Sequence, residues 1–348
     1  LAVGHEAANE DREAVVLTKS LYACRWLLLL AVALPAAAEP AELRLVSTVW
    51  PPFTDVVGKP RLASDLVHEA LSRAGVGAET AIVADGLLVS SMRDGSHDGS
   101  GALWRSEERE RFLLYSDPYM ENRLVLVGHK GSDVSAASFA QLAGRRVALV
   151  KGYAYGMAVD DAAGPTFVLG DSVQDNVRRL LEGDVDYMLI DSLVIRYIVD
   201  RYRKDADEKL EIGSTPLARR TLHLAIRKDI EGAEAIVRRF NEQIRAMLAD
   251  GTYNRILDLD WIRADVDGDG QAELVLQGER AGVDPPTDAY EVISGDEPKQ
   301  DEPKKLRILI GRSLYEDWES VPEQYKIPLP PSGTDPEPAT APLIKIKF

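Results

Sequence analysis

The sequence predicts an α/β fold in two lobes joined by two hinge-crossing strands, followed by a small C-terminal appendage. Three observations lead there. Short apolar runs alternate with stretches of helical spacing, first over residues 43–101 and again over 146–190, the pattern of β–α–β units. Leu124–Val127 reads as a strand leaving the first of these, and the alternating Thr221–Ile226 (TLHLAI) as a strand returning to it. After residue 262 the composition shifts toward Asp, Glu and Pro, which marks a separate appendage.

The 348 residues suffice for two or three domains with real cores. A net charge of −16 argues against a nucleic-acid partner, because neutralising phosphates needs a basic face. Lys19 and Arg25 precede the apolar run Leu27–Leu34 and then Ala36-Ala37-Ala38, the order of basic region, short apolar core and small-residue cleavage site. That is read as a signal peptide cleaved near Ala38, which sends the chain to the periplasm. The run is too short to span roughly 30 Å of hydrocarbon. The single cysteine, Cys24, precedes the apolar core, which argues against a lipid anchor. Residues 1–16, polar and lacking an initiating Met, read as an upstream extension from a misplaced start. The expected division is 1–38 extension and signal peptide, 39–126 first part of lobe 1, 127–221 lobe 2, 222–262 return to lobe 1, and 263–348 appendage.

Leu43–Val49 reads as a buried strand stopped by Trp50-Pro51-Pro52-Phe53, which leaves two aromatics at its C-terminal end. In open α/β sheets that end is where ligands bind. Ser64–Ala74 is a helix with Leu66, Ala70, Leu71 and Ala74 on one face and Gly75 beyond its end, and His68 on its polar side is expected in solvent. Ala81–Ala84 is a short strand, and Leu87–Met92 begins a helix closed by Asp94-Gly95. The central stretch is Asp98–Tyr119. Small residues lead into Trp104, a charged segment holds Arg109, and Ser116-Asp117-Pro118-Tyr119 forces a turn. Arginine offers a fixed fork of donors that matches a carboxylate, so this stretch reads as a cradle for a small anionic group.

Phe139–Leu142 is a short helix. Arg146–Val150 is a strand running into Lys151-Gly152-Tyr153-Ala154-Tyr155-Gly156, a junction that presents backbone N–H groups to an anion, with Tyr153 as a further donor. Ser172–Glu182 is a helix with Val173, Val177, Leu180 and Leu181 inward. Val185–Ile190 is a strand with Asp191 at its tip, where a carboxylate can meet an ammonium. Glu234–Leu248 is the longest amphipathic helix, ended by Asp250-Gly251-Thr252-Tyr253.

Over residues 42–262 these motifs resemble the polar-amino-acid type of periplasmic solute-binding protein, bacterial extracellular solute-binding protein family 3. The likeness rests on Trp50-Pro-Pro-Phe53, on Arg109 followed by Ser116-Asp-Pro-Tyr119, on Gly183, Asp186 and Asp191 at the spacing of Gly-x-x-Asp with a second Asp five residues on, and on the closing Asp-Gly-Thr-Tyr. The resemblance implies a two-lobed, periplasmic-binding-protein-like (type II) fold. It also implies Arg109 on a ligand carboxylate, Asp191 on its α-amino group and Trp50 stacked on it, with Phe53, Trp104 and Tyr153 completing the ligand site. Two departures stand out: Tyr153 and Ala154 replace a Thr pair, and Trp104 stands near where the family has a hydroxyl residue.

The implied activity is capture of a small zwitterion, an amino acid, by a monomer that delivers it to an inner-membrane ABC permease, with no reaction catalysed and no cofactor needed. Two other readings are kept. One is a cyclohexadienyl (arogenate-type) dehydratase on the same fold, which needs a general acid, for which Glu107, Glu108 and His97 are near enough in sequence. The other is a sensory or adhesive protein not tied to a permease.

Past residue 262, Asp265, Asp267, Asp269, Gln271 and Glu273 fall at positions 1, 3, 5, 7 and 9 of a Gly-containing turn, and alternate hard oxygens suit Ca²⁺. An EF-hand needs Glu at position 12, where Leu276 stands. The pattern is similar to the hairpin calcium loops of FG-GAP and integrin-type repeats, with Gln271 giving a carbonyl. Lys305–Ile310 and Leu343–Phe348 are expected as short strands and Pro328–Pro342 as extended chain.

Overall fold

A computed structural model describes residues 42–156, 159, 163–266, 271–276, 289–292, 307–326 and 342–346. The expected signal peptide, most of Pro328–Pro342, and Asp267 and Asp269 of the expected calcium loop lie outside the described residues.

β1 (Glu42–Ser47) buries Leu43, Leu45 and Val46. It is flanked by β2 (Gly77–Ile82) and β3 (Gly99–Trp104), both parallel to it. The crossover between β1 and β2 is α1 (Leu62–Arg73), whose buried Ala63, Leu66, Val67, Ala70 and Leu71 recur at helical spacing. Each fully buried leucine there contributes about 2 kcal/mol by leaving water. A 3-10 turn (Asp85–Leu87) and α2 (Leu88–Arg93) connect β2 to β3. α3 (Glu107–Glu110) and β4 (Leu113–Tyr115) follow.

β5 (Met120–His129) then leaves the first lobe. The second lobe holds the parallel strands β6 (Arg146–Val150), β7 (Thr166–Gly170) and β8 (Tyr187–Asp191). Its helices are α4 (Val173–Glu182), α5 (Ser192–Arg201) and α6 (Arg203–Lys209). β9 (Leu210–Arg227) runs 18 residues back, pairing antiparallel with β5 and then with β3 and β4. The sheet order among the described residues is β2-β1-β3-β9-β5-β8-β6-β7, so β5 and β9 are the strands shared by both lobes. Their pairing shifts register around Val125, and such irregularities bend a ladder locally. α7 (Ala233–Ala249) packs on α1, helped by the Arg73–Asp250 ion pair at 2.6 Å, and α8 (Thr252–Leu257) ends the second visit to the first lobe.

The appendage is a second sheet, ordered β12-β10-β11-β13-β14, from β10 (Trp261–Ala264), β11 (Glu273–Leu276), β12 (Tyr290–Glu291), β13 (Ile308–Ile310) and β14 (Ser313–Tyr315). It is tied to both lobes: the Asn254 side chain donates to Val275 O at 3.0 Å, Tyr290 Oη donates to Glu121 O at 2.5 Å, and the Leu343 N–H donates to Asp205 at 2.9 Å.

Several elements differ from expectation. β7 was not foreseen, because it is a five-residue edge strand that exposes Leu169. β9 is three times the expected length, since Gly213 and Pro216 break the alternation of its first half while the backbone still pairs with β5. Leu343–Lys345 is a 3-10 turn rather than a strand, following Pro342 with Leu343 buried. His68 is half-buried beside Thr80 Oγ1 at 2.8 Å, and burial lowers its pKa. Among the described residues no helix is long and apolar enough to cross a membrane.

Candidate functional site

The carboxyl-terminal tips of the parallel strands in both lobes open onto one cavity of about 370 Å³. From the first lobe come Thr48 and Trp50 after β1, Asp85 after β2, Trp104 at the end of β3, and Arg109 from α3. From the second come Lys151, Gly152 and Tyr153 after β6, and Asp171 after β7. Gly152 makes the turn at φ +83°, a conformation that side chains with Cβ resist.

Aromatic rings wall the cavity. Trp50 and Trp104 stand 5.7 Å apart edge to face, and Tyr153 from the opposite lobe lies 5.8 Å from the first and 5.5 Å from the second. Phe53 is fully buried behind Trp50, ring centroids 4.6 Å apart, and supports the wall without lining the cavity. Burial pushes the phenols of Tyr153 and Tyr155 well above their usual range, so both remain protonated donors at neutral pH.

Arg109 is half-buried, and burial lowers its pKa without approaching neutral pH. Nη1 donates to Trp104 O at 3.0 Å, which fixes one edge of the fork. Among the described residues it has no ion pair, and neither do Asp85, Lys151 or Asp171. Each lobe therefore brings one cation and one anion to the same space, an arrangement that suits a guest bearing both signs.

Asp191 does not line this cavity, whereas the sequence predicts that it faces Arg109 there. Its side chain caps α5: Oδ1 accepts the N–H groups of Leu193 (2.7 Å) and Val194 (3.2 Å). Oδ2 accepts Arg123 N–H (3.0 Å) and Asn122 Nδ2 (3.1 Å). The residue is 3 % exposed, and burial pushes its carboxyl up to about 6 against those hydrogen bonds. Asn122 in turn accepts the Trp104 indole N–H at 2.6 Å, so Asn122 links Asp191 to a ring that lines the cavity.

Asp85, Lys151 and Asp171 were not singled out from the sequence. The strand-tip rule already offers Asp85 and Lys151 behind the expected strands Ala81–Ala84 and Arg146–Val150, and it offers Asp171 only once β7 is placed. None of Glu107, Glu108 and His97 lines the cavity, and Glu108 pairs with Arg93 at 2.7 Å. In the appendage, Glu273 is fully buried, pairs with Arg307 and accepts Val266 N–H at 3.0 Å. Among the described residues, which include Asp265 and Gln271, no group of three or more metal-binding side chains assembles.

Residues 46–262 match the family described as bacterial extracellular solute-binding proteins, family 3. The chain belongs to that family. Among family relatives, the virulence sensor protein BvgS of Bordetella pertussis is 30 % identical over 124 residues, 33 % of this chain and 9 % of that protein. ABC transporter arginine-binding protein 1 of Escherichia coli K12 is 22 % identical over 218 residues, 61 % of this chain and 87 % of its own. A solved structure of a mutant of ArgBP from T. maritima is 26 % identical, covers 63 % of this chain and 94 % of its own, and superimposes with a TM-score of 0.52. The family fold is two-lobed and periplasmic-binding-protein-like, and this chain has it.

Proposed function

We propose that the chain is a periplasmic receptor that closes its lobes on a small zwitterion, an amino acid, and delivers it to an ABC permease. One observation supports this above the others: a half-buried guanidinium, Arg109, without an ion pair among the described residues, in an aromatic-walled cavity between two lobes. A charge in such a place is stabilised by an opposite charge on a guest. The cavity volume of about 370 Å³ is in the range of small-molecule sites. Contacts supplied by both lobes at once favour the closed hinge state, which is how binding becomes a signal to a partner. The arginine-binding name of the Escherichia coli relative supports an amino acid as guest, and we further propose that residues up to about Ala38 act as a signal peptide that exports the chain.

A thermal-shift screen over the common L-amino acids, followed by calorimetry, tests it. At least one amino acid should bind, and Arg109→Ala should weaken it about 100-fold, or ~3 kcal/mol. Absence of binding by all of them would reject the reading. The likeness to BvgS favours a second reading, a sensory role without a permease. Uptake of the bound amino acid into vesicles holding the cognate permease separates the two. None of the three general-acid candidates named for a dehydratase, Glu107, Glu108 and His97, lines the cavity, so that reading gains no support from them. For the appendage we propose that Ca²⁺ binds the Asp265–Glu273 turn, where it has to compete with Arg307 for Glu273.

A further inference from the structure

The zwitterion reading leaves open which carboxylate meets the guest's ammonium, and the following inference rests on that reading. At the tip of β8, the four hydrogen bonds to Asp191 come from four protein donors, two on each oxygen. An ammonium reaching it would have to displace Asn122, which would also release the Trp104 indole N–H into a buried site. At the tip of β7, Asp171 lines the cavity, is exposed, and makes no side-chain hydrogen bond or ion pair among the described residues. Only its backbone N–H is engaged, donating to Asp175 at 3.2 Å. Asp85, also exposed and unpaired among the described residues, lines the same cavity from the first lobe.

We propose that Asp171, with Asp85 on the other lobe, takes the ammonium of the guest, and that Trp104 bonded to Asn122 has walled Asp191 off from it. The carboxylate end stays with Arg109. The guest is then held by an anion from each lobe at one end and by Arg109 at the other. The ammonium grip has moved from one strand tip of the second lobe to another.

The test is calorimetry on the full chain, using the L-amino acid that binds most tightly in the screen and its des-amino analogue as probes. Wild type should prefer the amino acid. Asp171→Asn should weaken the amino acid about 10-fold or more while leaving the des-amino analogue nearly unchanged, as expected for a partly solvated charge pair. Its melting temperature without probe should not move, since Asp171 holds nothing in the fold. Asp85→Asn should act the same way with a smaller effect. An unchanged preference in Asp171→Asn, with Arg109→Ala still weakening binding about 100-fold, would overturn this inference and spare the receptor reading. Failure of every amino acid to bind wild type would overturn both.

Discussion

At the tip of β8 Asp191 is sealed beneath four donors, while at the tip of β7, in the same parallel layer, Asp171 faces the cavity with its carboxylate unspent among the described residues. The cause is one residue of spacing. α5 starts at Ser192, directly after β8, so Asp191 must itself serve as the N-cap. After β7 the chain inserts Asp171 before Ser172, and the Ser172 side chain caps α4 by accepting Asp175 N–H at 3.1 Å. Side-chain oxygens at a helix start are drawn to the orphan N–H groups there. A serine that fills that need leaves the preceding acid available to a guest. Position at a strand tip makes a residue eligible for a site, and the local cap decides whether it is free to act.

The comparison can be broken in order of expected effect. Asp191→Ala should destabilise the chain by about 3 kcal/mol in chemical denaturation, because it removes a cap and strands the Asn122 amide and the Arg123 N–H in a buried place. Asp171→Ala should change stability by less than about 0.5 kcal/mol. Equal effects would dissolve the contrast.

A pH series sharpens it. The Asp191 carboxyl is raised to about 6 by burial, above its ordinary value of 3.8, so the folded state holds a proton that the unfolded state has lost between those values. Stability from this group is present below pH 4, falls as pH rises to about 6, and is flat beyond, a loss of about 3 kcal/mol in all. Denaturation midpoints of wild type and Asp191→Asn should therefore differ in slope between pH 4 and 6, and parallel slopes would contradict the burial argument. Ser172→Ala should cost about 1 kcal/mol, the usual worth of a cap, measurable in the same denaturation experiment. The smallest effect is expected in the appendage. Ca²⁺ should raise the melting midpoint seen by tryptophan fluorescence over that in EDTA by no more than about 1 kcal/mol equivalent, since Arg307 already neutralises Glu273. Identical melting curves would count against Ca²⁺ binding at this turn.

Much of this was legible in the sequence, and the losses have physical causes. The alternation of apolar runs and amphipathic stretches announced the two β–α–β lobes, and Trp50, Trp104, Arg109 and Tyr153 do line one cavity. The motif around Arg109 divides on inspection. Arg109 faces the cavity, whereas Tyr119 is fully buried and donates to Gly101 O at 2.7 Å, and Ser116 Oγ accepts Leu224 N–H at 3.0 Å. A shared motif can thus mix residues that bind with residues that hold the binder in place. Asp98, at the head of the same stretch, is spent on Arg44 at 2.7 Å. Asp171 was hidden because β7 is short and lies at an edge. The fate of Asp191 was hidden because a cap and a ligand contact look alike in a sequence. The Trp104–Asn122–Asp191 chain spans 18 and then 69 residues of sequence, a separation that no local pattern encodes.

A crystal structure with the bound amino acid tests the central claim most directly. The account predicts the guest's carboxylate on the Arg109 fork and its ammonium about 3 Å from the Asp171 carboxylate, with Asn122 still bridging Trp104 to Asp191. An ammonium seated on Asp191, with Asn122 swung away and Asp171 facing solvent, would contradict it.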